Sequence, residues 1–317
     1  MKSLSQFHPS RPENMSSMGN PFVFFVKDWL VSIRQARARN EHSEAVLSAS
    51  NLLNLKGATE RRPVFIVGAP RSGTTFLGAI LNAAPGYAYY FEPPLMKYLA
   101  RLVYEKSISE PVAHRCYRTF VFSLEKSAPQ PGQRFTEKTP RNIFVVHTLA
   151  EAFPNAQFLY IYRDGRDATK SLVQKPWYTH KGKTIESVEP GGYAFGPNPH
   201  FYIEKDRREE YRTCSDIQRC AWIWRRHAEA GLELMQTMSA ERVHSLAYES
   251  LVTQPYREVE KIFKFLNDCN KESLEKARSV ACKAFTSSIG TWQELNEKEK
   301  KTLHAEIGPL LKEYCYI

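Results

Sequence analysis

A short apolar run, Val64-Phe-Ile-Val67, passes directly into Gly68-Ala-Pro-Arg-Ser-Gly73-Thr-Thr75-Phe76-Leu77, and no other stretch of the 317-residue chain narrows the fold as much. The run reads as a buried strand, the glycine-bounded stretch as a turn, and the residues after it as the start of a helix. Such a turn aims backbone N–H groups and a helix N-terminus at one point, which makes an anion site. Gly68 and Gly73 let the backbone curl tightly there without a Cβ clash. Against the triphosphatase pattern G-x-x-x-x-G-K-[ST], Gly68, Gly73 and Thr75 fit, but Thr74 stands where the lysine belongs. That lysine normally reaches the terminal phosphates, so its absence argues against triphosphate cleavage. The local cation is Arg71, whose planar fork suits phosphate or sulfate oxygens.

From Arg62 onward, short apolar runs alternate with helical stretches. The expected strands are Val64–Val67, Tyr87–Phe91, Phe135–Lys138, Gln157–Tyr162 and Val243–Tyr248. Helices are expected at Thr75–Asn82, Ile143–Phe153, Ala168–Leu172 and from about Thr213 to Met238. On the last of these, Ile217, Ala221, Trp224, Ala228, Leu232 and Met235 mark one apolar face. The alternation predicts an α/β fold, a parallel sheet with helices on both faces. Lys175–Tyr211 breaks the rhythm with four prolines, four glycines and six aromatic residues up to Tyr202, and reads as a lid over a site.

Forty-four Lys+Arg against 34 Asp+Glu leave a net charge of +10, which suits an anionic ligand. Six cysteines (116, 214, 220, 269, 282 and 315) form no C-x-x-C pair and read as reduced, scattered thiols. No run approaches a membrane span; Pro21-Phe-Val-Phe-Phe-Val26 is interrupted by Lys27 and Asp28. A cytoplasmic protein is therefore expected. The first twenty residues read as a tail, and a helix is expected from about Trp29 to Leu55, with Arg34, Arg37 and Arg39 on a solvated face.

Pro70-Arg-Ser-Gly-Thr-Thr75 resembles the 5′-phosphosulfate loop of sulfotransferases that use 3′-phosphoadenosine 5′-phosphosulfate (PAPS). Tyr160-Ile-Tyr-Arg163-Asp-Gly-Arg-Asp167, followed by Ser171, resembles their 3′-phosphate site, in which an arginine ending a strand and a later serine grip the phosphate. Tyr248-Glu-Ser-Leu251 is similar to a Tyr-Glu-Asp-Leu segment of that family, with Ser250 for Asp. Ile289-Gly290-Thr-Trp292 is similar to a late Gly-Asp-Trp that closes over the donor, again without the Asp. The resemblance spans roughly Arg62 to Trp292. It implies a P-loop-type sheet, with a tail and helix over 1–60, a sulfotransferase-like domain over 61–317 and the lid at 175–211.

The same resemblance implies roles. Arg71, Ser72, Gly73, Thr74 and Thr75 would hold the 5′-phosphate and sulfonate, and Arg163 and Ser171 the 3′-phosphate. Tyr248, Gly290 and Trp292 would complete the donor site, and Phe76 would either stack on adenine or sit in the core. Lys138 and Arg71 would balance charge on the transferring group, unless Lys138 is tied up in a structural ion pair with Glu137 or another acid. Pro140 occupies the place of the family's frequent histidine base, which leaves Glu92, in Phe91-Glu-Pro-Pro94, as the expected base. Desolvation there would raise its pKa toward neutrality; His147 is the alternative. The expected reaction is sulfonate transfer from PAPS to a hydroxyl or amine of a small molecule, with no metal required. The membrane-anchored Golgi relatives that modify secreted glycans and proteins fit less well.

Two other readings stand beside it. A P-loop kinase would use Asp164, at the end of an apolar strand, to hold Mg²⁺. A nucleic-acid-binding protein would use the Arg- and Lys-rich stretch around Lys175–Arg212, although acids interrupt it.

Overall fold

The computed structural model describes residues 62–126, 128–184 and 193–317. The expected tail and helix over 1–60, with Arg34, Arg37 and Arg39, lie outside the described residues. Five strands form one parallel sheet: β1 (Val64–Val67), β2 (Tyr87–Phe91), β3 (Arg134–Lys138), β4 (Gln157–Tyr162) and β5 (Val243–Ala247). Their order is β2-β3-β1-β4-β5. Register places Val64 beside Thr136 and Gln157, and Val67 beside Tyr160. Eleven α-helices surround the sheet among the described residues: α1 (Thr74–Ala83), α2 (Pro94–Tyr104), α3 (Glu110–Lys126), α4 (Val146–Ala152), α5 (Gly165–Val173) and α6 (Arg208–Thr213) are followed by α7 (Asp216–Thr237), α8 (Tyr248–Thr253), α9 (Pro255–Phe265), α10 (Lys271–Ala281) and α11 (Glu297–Glu313).

Both sheet faces are covered, as a continuous apolar strand requires. Phe65, Val67, Phe158 and Tyr160 point into one core with Leu95 and Leu99 of α2, Phe120 of α3 and Leu303 and Ile307 of α11. Val64, Ile66, Leu159 and Ile161 point into the other, with Leu77 and Ile80 of α1, Ile262 of α9 and Ala277 of α10. The alternation along each strand therefore sorts side chains between two cores rather than between core and water.

Three differences from expectation have physical causes. The helix expected over Ile143–Phe153 begins as a 3₁₀ turn, Pro140–Val145, and becomes α-helical only at Val146. The strand expected to reach Tyr248 stops at Ala247, and Tyr248 opens α8. Helix α7 buries more than its expected stripe. Ile217, Ala221, Trp224 and Ala228 are buried, but so are Arg219, Trp222, Ile223 and His227, whereas Leu232 and Met235 are only half-buried. The polar side of α7 is covered by the segment that breaks the sequence rhythm. Trp222 Nε1 donates to Glu204 (2.8 Å), Arg226 to the Tyr202 carbonyl (2.8 Å), and Arg219 to the Tyr211 carbonyl (3.1 Å).

That segment is built of short 3₁₀ turns at Pro176–Tyr178, His180–Thr184 and Lys205–Arg207, then α6. Its aromatic residues stack on one another. Tyr193, His200, Tyr202 and Phe144 form a column of near-parallel rings 4.8, 5.2 and 4.8 Å apart. The Arg101 guanidinium of α2 lies 4.9 Å from the Tyr193 ring at one end. No helix among the described residues is long and apolar enough to cross a membrane.

Candidate functional site

Strands β1 and β4 are neighbours, and the chain leaves them toward opposite edges of the sheet. The crevice outside their C-terminal ends is where a doubly wound sheet binds its ligand. The loop after β1 is built for close approach. Gly68 has φ +148°, Arg71 φ +68° and Gly73 φ +90°, a run of backbone conformations that L side chains adopt rarely. Gly73 caps α1 with no side-chain cap, so the first N–H groups of that helix remain directed into the crevice. A Cβ on Gly73 would sit 2.4 Å from Cδ2 of Tyr248, because that ring packs against the turn.

The two phosphate segments named from sequence come together. Arg71 Nε donates to Ser171 Oγ (3.0 Å), and Arg163 Nη1 donates to the Arg71 carbonyl (3.0 Å). The Arg163 guanidinium stacks 4.7 Å from the Tyr248 ring, and Tyr248 Oη meets Ser288 Oγ at 3.0 Å. Burial, then the neighbouring Arg163, lowers the Arg71 pKa. A cavity of about 500 Å³ lies among Arg71, Thr75, Phe76, Arg163, Ser171 and Tyr248. Gly73 and Thr74 line it too; Ser72 does not, but its fully buried hydroxyl has no hydrogen-bond partner among the described residues, and neither does Arg163 Nε. Unpartnered donors this deep carry a desolvation cost that a bound anion removes. Phe76 lines the cavity and also packs against the core.

Gly290 and Trp292, expected to complete the donor site, do not line the cavity, although their neighbours Ser288, Thr291 and Glu294 do. The buried carboxylate of Asp167 accepts from the N–H groups of Gly290 (2.7 Å) and Trp292 (2.9 Å) and from Thr291 Oγ1 (2.9 Å). It thereby ties down the segment 288–294, which contributes to the wall of the cavity. The Trp292 ring stacks on Arg166 at 4.2 Å. Lys170, Gln174, Ser288, Thr291 and Glu294 also line the cavity, and sequence reasoning passed over all five. A signal existed for two of them: Asp167, Lys170, Ser171 and Gln174 are spaced to share one face of α5.

Glu92 and Lys138 end the neighbouring strands β2 and β3 at the same edge of the sheet, where Lys138 pairs in register with Phe91 and Ile66. The Glu92 N–H donates to the Lys138 carbonyl (2.9 Å). Glu92 has φ +42°, a strained backbone for a residue with a side chain. Its carboxylate is gripped at both oxygens, by Lys138 Nζ at 2.5 Å and Lys97 Nζ at 2.6 Å. The expected rise of its pKa is therefore reversed. Burial pushes it up, but the two ammonium groups outweigh burial and hold it at about 2. Burial lowers the Lys138 pKa, with Glu92 opposing, and the ammonium lies 3.8 Å from the Phe91 ring. Lys138 pairs with Glu92 and not with Glu137, because alternation turns Glu137 to the other side of β3. His147 is exposed on α4, where its ring meets Thr237 Oγ1 at 3.4 Å.

Glu137 is completely buried, accepting hydrogen bonds from Thr139 Oγ1 and from Asn142 Nδ2 (2.9 Å). Burial dominates these contacts and raises its pKa to about 8. An acid so shifted stays protonated in the fold at pH values where the unfolded chain has released the proton. The stability this confers is complete below the ordinary value of 4.5 and is lost as pH rises through about 8. Urea unfolding at pH 5 and pH 8 should show a loss of at least about 1 kcal/mol in the wild type that largely disappears in Glu137→Gln. An unchanged difference in the variant would clear Glu137 of it.

The acid of the kinase reading is otherwise engaged. Asp164 caps α5 by accepting from the Arg166 N–H (2.9 Å) and pairs with the Arg166 guanidinium (2.7 Å). In the stretch of the nucleic-acid reading, Arg207 is paired with Glu210 and Arg212 with Glu209.

Residues 63–189 match the sulfotransferase family. The chain is 24% identical over 217 residues to a protein-tyrosine sulfotransferase of Drosophila melanogaster, covering 64% of this chain and 38% of that protein. It is 24% identical over 246 residues to protein-tyrosine sulfotransferase 2 of Gallus gallus, covering 74% and 58%. The matches thus span well under two thirds of those relatives' lengths. In fold the chain is similar to sulfotransferase STF9 from Mycobacterium avium, with a TM-score of 0.55 at 13% identity over 94% of this chain and 87% of that one.

Proposed function

We propose that this chain, which belongs to the sulfotransferase family over residues 63–189 and has the P-loop sulfotransferase fold, transfers the sulfonate of PAPS to a phenolic hydroxyl and releases adenosine 3′,5′-bisphosphate. One observation carries the reading: the Arg71 loop and the Arg163/Ser171 pair meet at a single cavity, joined by the Arg71–Ser171 and Arg163–Arg71 hydrogen bonds. The residues fit such a donor. A 500 Å³ cavity is of nucleotide size, and Ser72 Oγ and Arg163 Nε are buried donors with no partner among the described residues. The donor supplies an activated sulfonate; everything else asked of the protein is positioning and charge.

In this reading the loop N–H groups, with Ser72, Thr74 and Thr75, hold the 5′-phosphate end. Arg163 and Ser171 hold the 3′-phosphate, the group that separates PAPS from ATP. Arg71 and Lys138 neutralise the charge that gathers on the bridging oxygen. Glu92 takes the acceptor proton. Lys138 cannot serve a sulfonate and grip Glu92 equally, so engaging the sulfonate loosens the carboxylate and restores part of its basicity. A carboxylate that starts at about 2 is nevertheless a weak base. It suits a phenol, whose proton leaves near pH 10, far better than an aliphatic alcohol. The names of the relatives, protein-tyrosine sulfotransferases, point the same way. The aromatic segment after α5 favours a small ring compound as the carrier of that phenol, and a tyrosine peptide is the comparison to run beside it.

Calorimetry tests the donor assignment. Adenosine 3′,5′-bisphosphate should bind without metal and more tightly than ADP or ATP·Mg²⁺. Arg163→Ala should cost about 2 kcal/mol, roughly thirtyfold in affinity. Preference for ATP·Mg²⁺, or an Arg163→Ala variant that binds normally, would return the kinase reading to first place.

A further inference from the structure

Lys170 has no part in the roles assigned above, yet it reaches the donor cavity from the same face of α5 as Ser171. Its ammonium makes two bonds, to the Thr291 carbonyl (2.6 Å) and to Glu294 Oε2 (2.5 Å). Arg163 behaves in parallel, since its Nη2 donates to the Ser288 carbonyl. Two cations of an anion cavity are therefore held by acceptors from one segment, residues 288–294, which Asp167 ties in place.

Glu294 is the unexpected member, a carboxylate in the wall of a cavity otherwise equipped for anions. The Lys170 side chain is 18% exposed and that of Glu294 is 75% exposed. An ion pair with one partner so open to water is weak. A phosphate dianion at Ser171 and Arg163 offers Lys170 more charge in a drier place. An ammonium also has three donors, so it can keep the Thr291 carbonyl while it changes anions.

We propose that Lys170 is a third phosphate-binding cation of the donor site, acting with Arg163 and Ser171, and that Glu294 is an internal anion competing for it. The inference rests on the donor reading above and adds to it a residue that sets selectivity for the 3′-phosphate. Glu294 thereby weakens binding and opposes product retention, because the released bisphosphate meets a competitor at the cation that holds it.

The test compares adenosine 3′,5′-bisphosphate with 5′-AMP, which lacks the 3′-phosphate, on the full chain by calorimetry. Lys170→Met should weaken the bisphosphate about tenfold and leave 5′-AMP within about twofold, the loss of one charge-assisted contact. Lys170→Arg should recover most of the loss. Glu294→Gln should tighten the bisphosphate by about threefold, the scale of an exposed ion pair. A purely structural tie predicts otherwise: Lys170→Met would weaken both ligands together, and Glu294→Gln would weaken the bisphosphate. Either pattern, or an unchanged bisphosphate affinity in Lys170→Met, overturns the proposal and leaves the donor reading standing. A wild type that binds the bisphosphate no more tightly than 5′-AMP overturns the donor reading and this proposal with it.

Discussion

Glu92→Gln should lower kcat by about 10²- to 10⁴-fold, the usual contribution of a positioned base, while bisphosphate affinity changes by less than about twofold. The separation follows from the placement of Glu92 at the end of β2, on the far side of β3 from Arg163 and Ser171. An amide also cannot accept from Lys97 and Lys138 at both positions, so the variant loses the clamp along with the base. The wild-type pH profile gives a second reading of the same residue. With the carboxyl held at about 2, kcat/KM should show no acid limb belonging to Glu92 above about pH 3. A variant turning over at the wild-type rate would remove Glu92 from the mechanism.

Gly68→Ala should be the most damaging substitution in the loop, lowering stability by about 3 kcal/mol or more. A Cβ there would lie 2.2 Å from the Ile161 carbonyl oxygen, on a backbone at φ +148°. Neither β1 nor β4 can yield alone, because each is paired along its length and buried on both faces. The displaced end of β4 leads within two residues to Arg163, so donor affinity should fall with stability. Gly132→Ala is the control. It has φ +82° but nothing within 4 Å of the new Cβ, and should cost only about 1 kcal/mol. Differential scanning calorimetry of both variants decides; equal melting temperatures would mean that the close approach of β1 to β4 is unimportant.

The sheet was legible in the sequence because each strand is a short apolar run ending at a recognisable residue. Val64–Val67, Tyr87–Phe91 and Gln157–Tyr162 match to the residue. Helices α2 and α3 were not named from the sequence; Pro94 is the first residue of α2, the turn where a missing N–H costs nothing. Lys97 lies on that helix, and so the second cation on Glu92 was out of sight. Its absence from the sequence reading explains the reversed pKa: a strand-end carboxylate in isolation suggests burial, and only the folded chain brings both ammonium groups to it. Asp167 shows the same limitation over a longer separation. The late Gly290-Thr-Trp292 segment lacks its expected acid, and the acid that ties it down stands 123 residues earlier, on α5.

In the proposed function, the strand order divides the work of this protein between two flanks of β1. On one flank, β2 and β3 lead to Glu92 and Lys138, the groups proposed above to serve the acceptor. On the other, β4 and β5 lead to Arg163, Ser171 and Tyr248, the groups proposed above to hold the nucleotide. Descent with modification can therefore redraw one flank without revising the other. A chimera that exchanges residues 87–138 with those of a relative should keep this chain's hold on the donor.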